Sequence, residues 1–234
     1  GGVQLFSAEA TAVGGDKLHP RISYTAKRLW YIYVGFTVLE ALMLVFAGMS
    51  VFDAINHSMS TMASGGFSTK NESLAYWNNS PMIQYTVTLF MFLAGTNFVL
   101  IYFGLKGKLE RIWQDNEFRW YVGFVTLFTL ITFIGIYTNV KLGSTSVEHP
   151  QIFGAFESSF RHALFQVIAI ITTTGFVTAD FAGWTPFLNM LFFGLFFLGG
   201  SSGSTSGGVK VIRHLVMIKN ALLEFRRALH PNAI

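Results

Sequence analysis

Cysteine is absent from all 234 residues. That excludes disulfides, thiolate metal sites and thiol nucleophiles. Charge is scarce as well. Asp, Glu, Lys and Arg make up 12% of the chain, against roughly 25% in an average soluble domain. A soluble surface is hard to build from so few charges, so lipid is the expected solvent for much of this one. No nucleophile–base pair and no metal-spaced cluster stands out, so an enzyme is not expected. No signal-peptide pattern is present. The chain begins with Gly rather than Met, and its opening Gly1-Gly2-Val3-Gln4-Leu5-Phe6 reads as a continuation; a fragment of a longer protein is expected.

What the chain does have is apolar bulk: 52% hydrophobic residues, including 25 Phe, and a mean hydropathy of +0.48. The pI near 9.4 raises nucleic acid as a partner. The 16 Lys and Arg, however, sit between hydrophobic runs, which fits membrane topology and no nucleic-acid partner.

About 20 apolar residues cross the roughly 30 Å hydrocarbon core. Residues 29–50, 81–105 and 120–138 are read as three spans. A fourth hydrophobic segment runs from Phe187 to Leu198. Trp30, Tyr31 and Tyr33 open the first span as an interfacial belt. Gln84, Thr86, Thr88, Thr96 and Asn97 make the second too polar for a lone lipid-facing helix. Thr126, Thr129 and Thr132 form a polar stripe on the third, suited to a helix interface. Glu40 lies mid-span, where a carboxylate is costly. It is either an ion-pathway group or a helix-packing hydrogen-bonder, and the second reading is preferred because ion handling has a better candidate.

That candidate is a repeat. Ala63-Ser64-Gly65-Gly66-Phe67 and Thr172-Thr173-Thr174-Gly175-Phe176 align with an offset of 109 residues, Gly66 on Gly175 and Ala54 on Ala163. Each copy follows a short helix, about 53–62 and 161–171, and lies between long apolar segments. A span–loop–span repeat at this period points to two pore loops. A cation sheds its hydration shell only where oxygens replace it, and rings of backbone carbonyls do so. Ala63, Ser64, Gly65 and Gly66 with Thr172, Thr173, Thr174 and Gly175 are the expected ion-binding carbonyls, Gly supplying left-handed backbone. Threonine hydroxyls could add oxygens at the inner end. The C-termini of the short helices would aim partial negative charge at the ion. His57, His162 and Gln166, on those helices, are read as hydrogen-bonding residues rather than metal ligands, since none has a second ligand at metal spacing.

The last apolar segment is broken by Gly199-Gly200-Ser201-Ser202-Gly203-Ser204-Thr205-Ser206-Gly207-Gly208. A phosphate loop needs Gly-Lys-Ser/Thr, and Val209 separates Gly208 from Lys210. A flexible linker is the plainer reading. Yet Leu198 is only about 12 residues, some 18 Å of helix, into its segment. The run therefore lies at membrane depth, where irregular backbone must be enclosed by protein or line a cavity. A gate beneath the loops is expected. Basic residues place 1–28, the 106–119 connection and the end after Lys210 on the cytoplasmic side.

Together, Gly2-Val3-Gln4-Leu5-Phe6, Phe52-Asp53-Ala54, Ser64 to Thr69, Phe90 to Phe98, Thr173 to Phe176 and Gly199 to Arg213 resemble the Trk/Ktr/HKT superfamily of potassium transporters. The nearest branch is the membrane subunit of bacterial Trk-type uptake systems. The resemblance implies an all-α membrane protein of repeated helix–pore loop–helix, K⁺-channel-like units. This chain would hold four transmembrane spans and two re-entrant pore helices. Residues 1–28 would be a cytoplasmic linker, 29–112 repeat two and 113–234 repeat three of four. Repeats one and four, with the arginine the family carries near the gate, fall outside the chain. It further implies potassium uptake across a bacterial inner membrane, a homodimer, a cytosolic nucleotide-binding regulatory subunit, and no covalently bound cofactor, K⁺ being cargo. A secondary transporter coupled through Glu40 and a non-transporting fragment are the competing readings.

Overall fold

The computed structural model describes residues 22–139, 142 and 147–229. The expected cytoplasmic linker before Ile22 and the basic Lys141 lie outside the described residues. Nine α-helices occur among them. They are α1 (Ile22–Phe46), α2 (Val51–Met62), α3 (Pro81–Ala94), α4 (Phe98–Leu105), α5 (Leu109–Gln114), α6 (Asn116–Asn139), α7 (Ala155–Ile171), α8 (Pro186–Leu195) and α9 (Val211–Leu229).

The helix starts follow local chemistry. Ser50 caps α2 by accepting the Asp53 N–H, and Thr185 caps α8 by accepting the Leu188 N–H. Pro81 and Pro186 open α3 and α8, where a missing N–H costs nothing. Two helices, Thr25–Phe46 and Asn116–Asn139, are long and apolar enough to cross a bilayer. The segment read as one span over 81–105 is instead two helices, α3 and α4, bent by 109°. Asn97 causes the restart: its side chain accepts the Val99 N–H at 2.8 Å and caps α4. α7 starts at Ala155, earlier than the short helix expected from about residue 161.

The core forms where α7 meets α3 and α6. Phe165, Val167, Ile168, Ala169 and Ile171 of α7 are buried with Ile83, Val87 and Met91 of α3 and Tyr121 of α6. The polar residues of α3 are inside, as expected: Gln84, Thr86 and Thr88 are all buried. On α6 the buried stripe is Tyr121, Val125, Thr129, Thr132 and Ile136. Thr126 is exposed, because the buried face of α6 advances by i+4 and i+3 steps that skip it. A second cluster joins Met62, Phe90, Ala94, Phe98 and Ile101 to the flank of α1.

Candidate ion-conduction site

Each short helix ends in the same way. Ala63 N–H bonds to Met59 O and Ser64 N–H to Thr61 O; Thr172 N–H bonds to Ile168 O and Thr173 N–H to Ile170 O. These pairs are equivalent under the 109-residue offset. The chain then turns left-handed twice in each copy. Ser64 has φ 52° and Gly66 φ 71°; Thr173 has φ 57° and Gly175 φ 80°. Left-handed backbone is unfavourable by about 1–2 kcal/mol per residue with a Cβ, so its recurrence at matched positions is a designed shape and not a loose turn.

The two loops meet. A Cβ placed on Gly66 would stand 1.8 Å from the Thr174 carbonyl oxygen. No side chain fits between them, and the two backbones approach as closely as glycine permits. Gly175 has no such neighbour within 4 Å. Thr172 and Thr174 have their hydroxyls in local hydrogen bonds. Thr172 donates to the Ile168 carbonyl at 2.8 Å and meets the Thr174 hydroxyl at 2.9 Å. The two hydroxyls are thereby tied to the end of α7 and to each other.

After the glycines each limb is strapped back to its helix. Thr69 donates to Asp53 Oδ1 at 2.6 Å, and the Thr178 hydroxyl pairs with His162 Nδ1 at 2.9 Å. Positions 53 and 162, and 69 and 178, are repeat equivalents. His57 donates from Nδ1 to Asp53 O at 2.7 Å, which leaves Nε2 to accept the Ser68 hydroxyl at 2.9 Å. Gln166 reaches the Ala179 carbonyl at 3.0 Å. His57, His162 and Gln166 thus act as hydrogen-bonding struts, as expected. The Asp53 and Thr69 strap was missed at the sequence level, although the 109-residue offset places it on His162 and Thr178.

Outside the loops, the repeats are stitched together. Ala75 N–H bonds to Val177 O at 2.9 Å, and Asn78 donates to the Thr178 and Glu148 carbonyls and to His149 Nδ1. Burial, then the nearby Arg161 charge, lower the pKa of His149. Arg161, buried on α7, pairs with Glu157 at 2.9 Å and bonds to Gln84. Tyr85 shares Glu157 at 3.0 Å.

The Gly-Ser run is a folded loop. Gly199 N–H bonds to Val209 O and Val211 N–H to Gly200 O, closing its neck. It docks on the α3–α4 break. Ser201 N–H bonds to Gly95 O, Thr205 N–H to Ala94 O, and Phe98 N–H to Gly203 O. Two interrupted helices thereby satisfy each other's freed backbone groups, which membrane depth requires. The loop also touches both copies of the repeat. Gly207 N–H bonds to Thr173 Oγ1 at 2.6 Å, and Thr205 and Ser64 hydroxyls pair at 3.1 Å. Ser64 and Thr173 are repeat equivalents. Glu117 of α6, also missed from sequence, accepts the Ser202 N–H at 2.6 Å and the Ile212 N–H at 3.3 Å. Glu40 is fully buried on α1 beside Thr61. Thr61 gives its proton to the His57 carbonyl at 2.7 Å. The Thr61 hydroxyl is the polar neighbour of the Glu40 carboxyl, the partner a packing hydrogen bond would take, although no such bond is closed in this geometry.

These features define a class: an all-α membrane protein made of helix–pore loop–helix units. Its loops present paired left-handed backbone turns, and an irregular loop lies against them. The chain belongs to the TrkH family of cation transport proteins, whose family model matches residues 1–234. It is 41% identical over 237 aligned residues to the Trk system potassium uptake protein TrkH of Salmonella typhimurium, covering 100% of this chain and 46% of that one. It is 32% identical to the Trk system potassium uptake protein TrkG of Escherichia coli K12, covering 100% of this chain and 46% of that one. The crystal structure of the potassium transporter TrkH from Vibrio parahaemolyticus superposes with a TM-score of 0.84 at 37% identity, covering 99% of this chain and 47% of that one. The chain spans about half the length of the relatives it matches.

Proposed function

We propose that this chain supplies two walls of a channel-like pore that takes K⁺ up across a bacterial inner membrane. The observation that carries the reading is the repeated pair of left-handed residues, Ser64 with Gly66 and Thr173 with Gly175, with Gly66 pressed on the Thr174 carbonyl. Such backbone turns carbonyls toward one axis, the arrangement that replaces a cation's hydration shell. The ion-binding carbonyls are those of Ala63, Ser64, Gly65, Gly66, Thr172, Thr173, Thr174 and Gly175. K⁺ is the cargo, in line with the names of the relatives.

Residues 29–112 and 113–234 are then two consecutive repeats, and a closed ring takes two more walls. Phe67 and Phe176 support this count. Phe176 is 1% exposed and stacks on His57 of the neighbouring repeat at 5.7 Å. Its equivalent Phe67 is 83% exposed, the seat a preceding repeat would fill. The Gly199–Gly208 loop is the gate, since it rests on Ser64 and Thr173 at the deep end of both walls. Four spans with both ends cytoplasmic, a homodimer and a cytosolic nucleotide-binding regulatory subunit complete the reading. A Trk uptake "system" among the relatives' names favours more than one kind of subunit.

The test is Gly66→Ser and Gly175→Ser in the complete gene product that contains this sequence. Radioactive rubidium uptake against sodium competition should show lost K⁺/Na⁺ discrimination. Unchanged discrimination in both variants sinks the proposal.

A further inference from the structure

We propose that Glu117 is the latch of the Gly199–Gly208 loop, a positioning residue that ties the loop to the first turn of α9 and keeps the passage shut. The inference rests on the reading of that loop as a gate.

Several groups hold the loop. Ala94, Gly95 and Phe98 bind it by backbone, and Ser64 and Thr173 by the walls themselves. Lys210 and Ser204 bind it from within the same segment. Glu117 differs from all of these. It is a carboxylate on a separate helix, in the first turn of α6. One oxygen, Oε1, accepts Ser202 N–H at 2.6 Å and Ile212 N–H at 3.3 Å. Ser202 is in the middle of the loop and buried. Ile212 is the second residue of α9, whose first-turn N–H groups have no partner within their own helix. A negative charge at that end is favoured by the helix dipole. Glu117 therefore caps α9 and clamps the loop with the same atom. The loop cannot lift from the walls while α9 stays in place unless the bond to Ser202 breaks. A tilt of α9 draws on the same oxygen. The residue thus links the position of the basic helix to that of the gate.

A second role for a half-buried carboxylate beside a cation passage is to attract the cation. The two roles predict opposite signs. A latch holds the closed state, so its loss raises flux. An attractor feeds the pore, so its loss lowers flux.

The experiment uses the complete gene product in proteoliposomes, with radioactive rubidium flux and sodium competition as readouts. Glu117→Ala should raise flux about tenfold, the effect of removing one charge-assisted bond from the closed state alone. K⁺/Na⁺ discrimination should stay at the wild-type value, because the walls are untouched. Glu117→Gln keeps an acceptor oxygen without the charge and should fall between wild type and Glu117→Ala. Wild-type or lower flux in Glu117→Ala, or a drop in flux in Glu117→Gln, overturns the latch. So does a flux increase that comes with altered discrimination. A variant lacking residues 201–206 separates this failure from failure of the gate reading. If that deletion raises flux and Glu117→Ala does not, the loop is a gate without this latch. If the deletion leaves flux unchanged, the gate itself is refuted and the latch with it. Should Glu117→Ala fail to reach the membrane, Glu117→Gln carries the test by the same sign.

Discussion

Gly66→Ala adds a single methyl group to the junction between the two loops. Two costs arise. The residue has φ 71°, where a Cβ is unfavourable by about 1–2 kcal/mol. The Cβ would also stand 1.8 Å from the Thr174 oxygen, so that carbonyl must retreat by about 1 Å or more to reach an ordinary van der Waals separation. The displaced atom is one of the proposed ion ligands. A cage that tells K⁺ from Na⁺ by its ring of carbonyls does not keep its discrimination after such a shift. Each tenfold of discrimination corresponds to about 1.4 kcal/mol, within reach of the strain term alone. Gly66→Ala should therefore lose about tenfold or more in K⁺/Na⁺ discrimination, read as sodium inhibition of rubidium uptake in proteoliposomes. Thr174→Ser serves as the control, since it keeps the backbone and the hydroxyl. Wild-type discrimination in a Gly66→Ala protein present at normal membrane level would refute the reasoning. It would mean that the Thr174 carbonyl is not an ion ligand or that the loops sit further apart than described.

Four further outcomes follow from the same structure. Thr69→Val removes the donor to Asp53, leaves a carboxylate short of its 2.6 Å partner, and should destabilise the protein by about 1–3 kcal/mol, read as a lower thermal midpoint; Thr178→Val at the equivalent strap should act in the same direction, and a neutral result at both would show that the straps do not support the loops. Glu40→Gln should leave transport intact, because the amide fills the same buried space and keeps an oxygen and a donor for Thr61; abolished transport would instead favour Glu40 as a coupling group. His149 should make thermal stability pH-dependent. Its folded pKa is lowered by burial and by Arg161, so the unfolded chain takes up a proton more readily; stability is full above about pH 6.5 and declines as pH falls below it. His149→Gln should flatten that slope, and an unchanged slope would assign it to other groups.

The repeat was legible because its two copies keep the same offset and the same neighbours, and glycine is the residue that left-handed backbone selects. Ser64 and Thr173 were legible only as members of the motif. Nothing in a serine or threonine announces φ above 50° until the flanking helix end forces the chain to turn. The bend at Gly95-Thr96-Asn97 was hidden for a different reason. Residues 81–105 are apolar enough to read as a continuous span, and hydropathy does not report where a helix axis turns. The deciding partner is far away in sequence: Ser201 and Thr205 satisfy the carbonyls that the break releases. Glu117 escaped notice because a first-turn acid on a helix is ordinary on its own. Its second partner, Ser202, is 85 residues away.

Asp53 and His162 show how far the symmetry of the repeat extends. The two residues occupy equivalent positions and bind equivalent hydroxyls, yet one is an acid and the other an imidazole. What is repeated is the bond from pore helix to returning limb, not the chemistry that makes it. The difference tracks the surroundings. Asp53 also meets Lys70 at 3.6 Å, with a side chain 10% exposed, and a carboxylate is tolerable where a cation stands beside it. His162 is fully buried beside Arg161, itself held by Glu157. A carboxylate there would need its own desolvation offset, while a neutral imbalance of donor and acceptor can be met by an imidazole. Exchanging the two should therefore be unequal. Asp53→His keeps a partner for Thr69 at the less buried of the two sites and should cost less. His162→Asp buries a carboxylate and should lower the thermal midpoint clearly more. Equal effects would show that burial does not decide which group each strap uses.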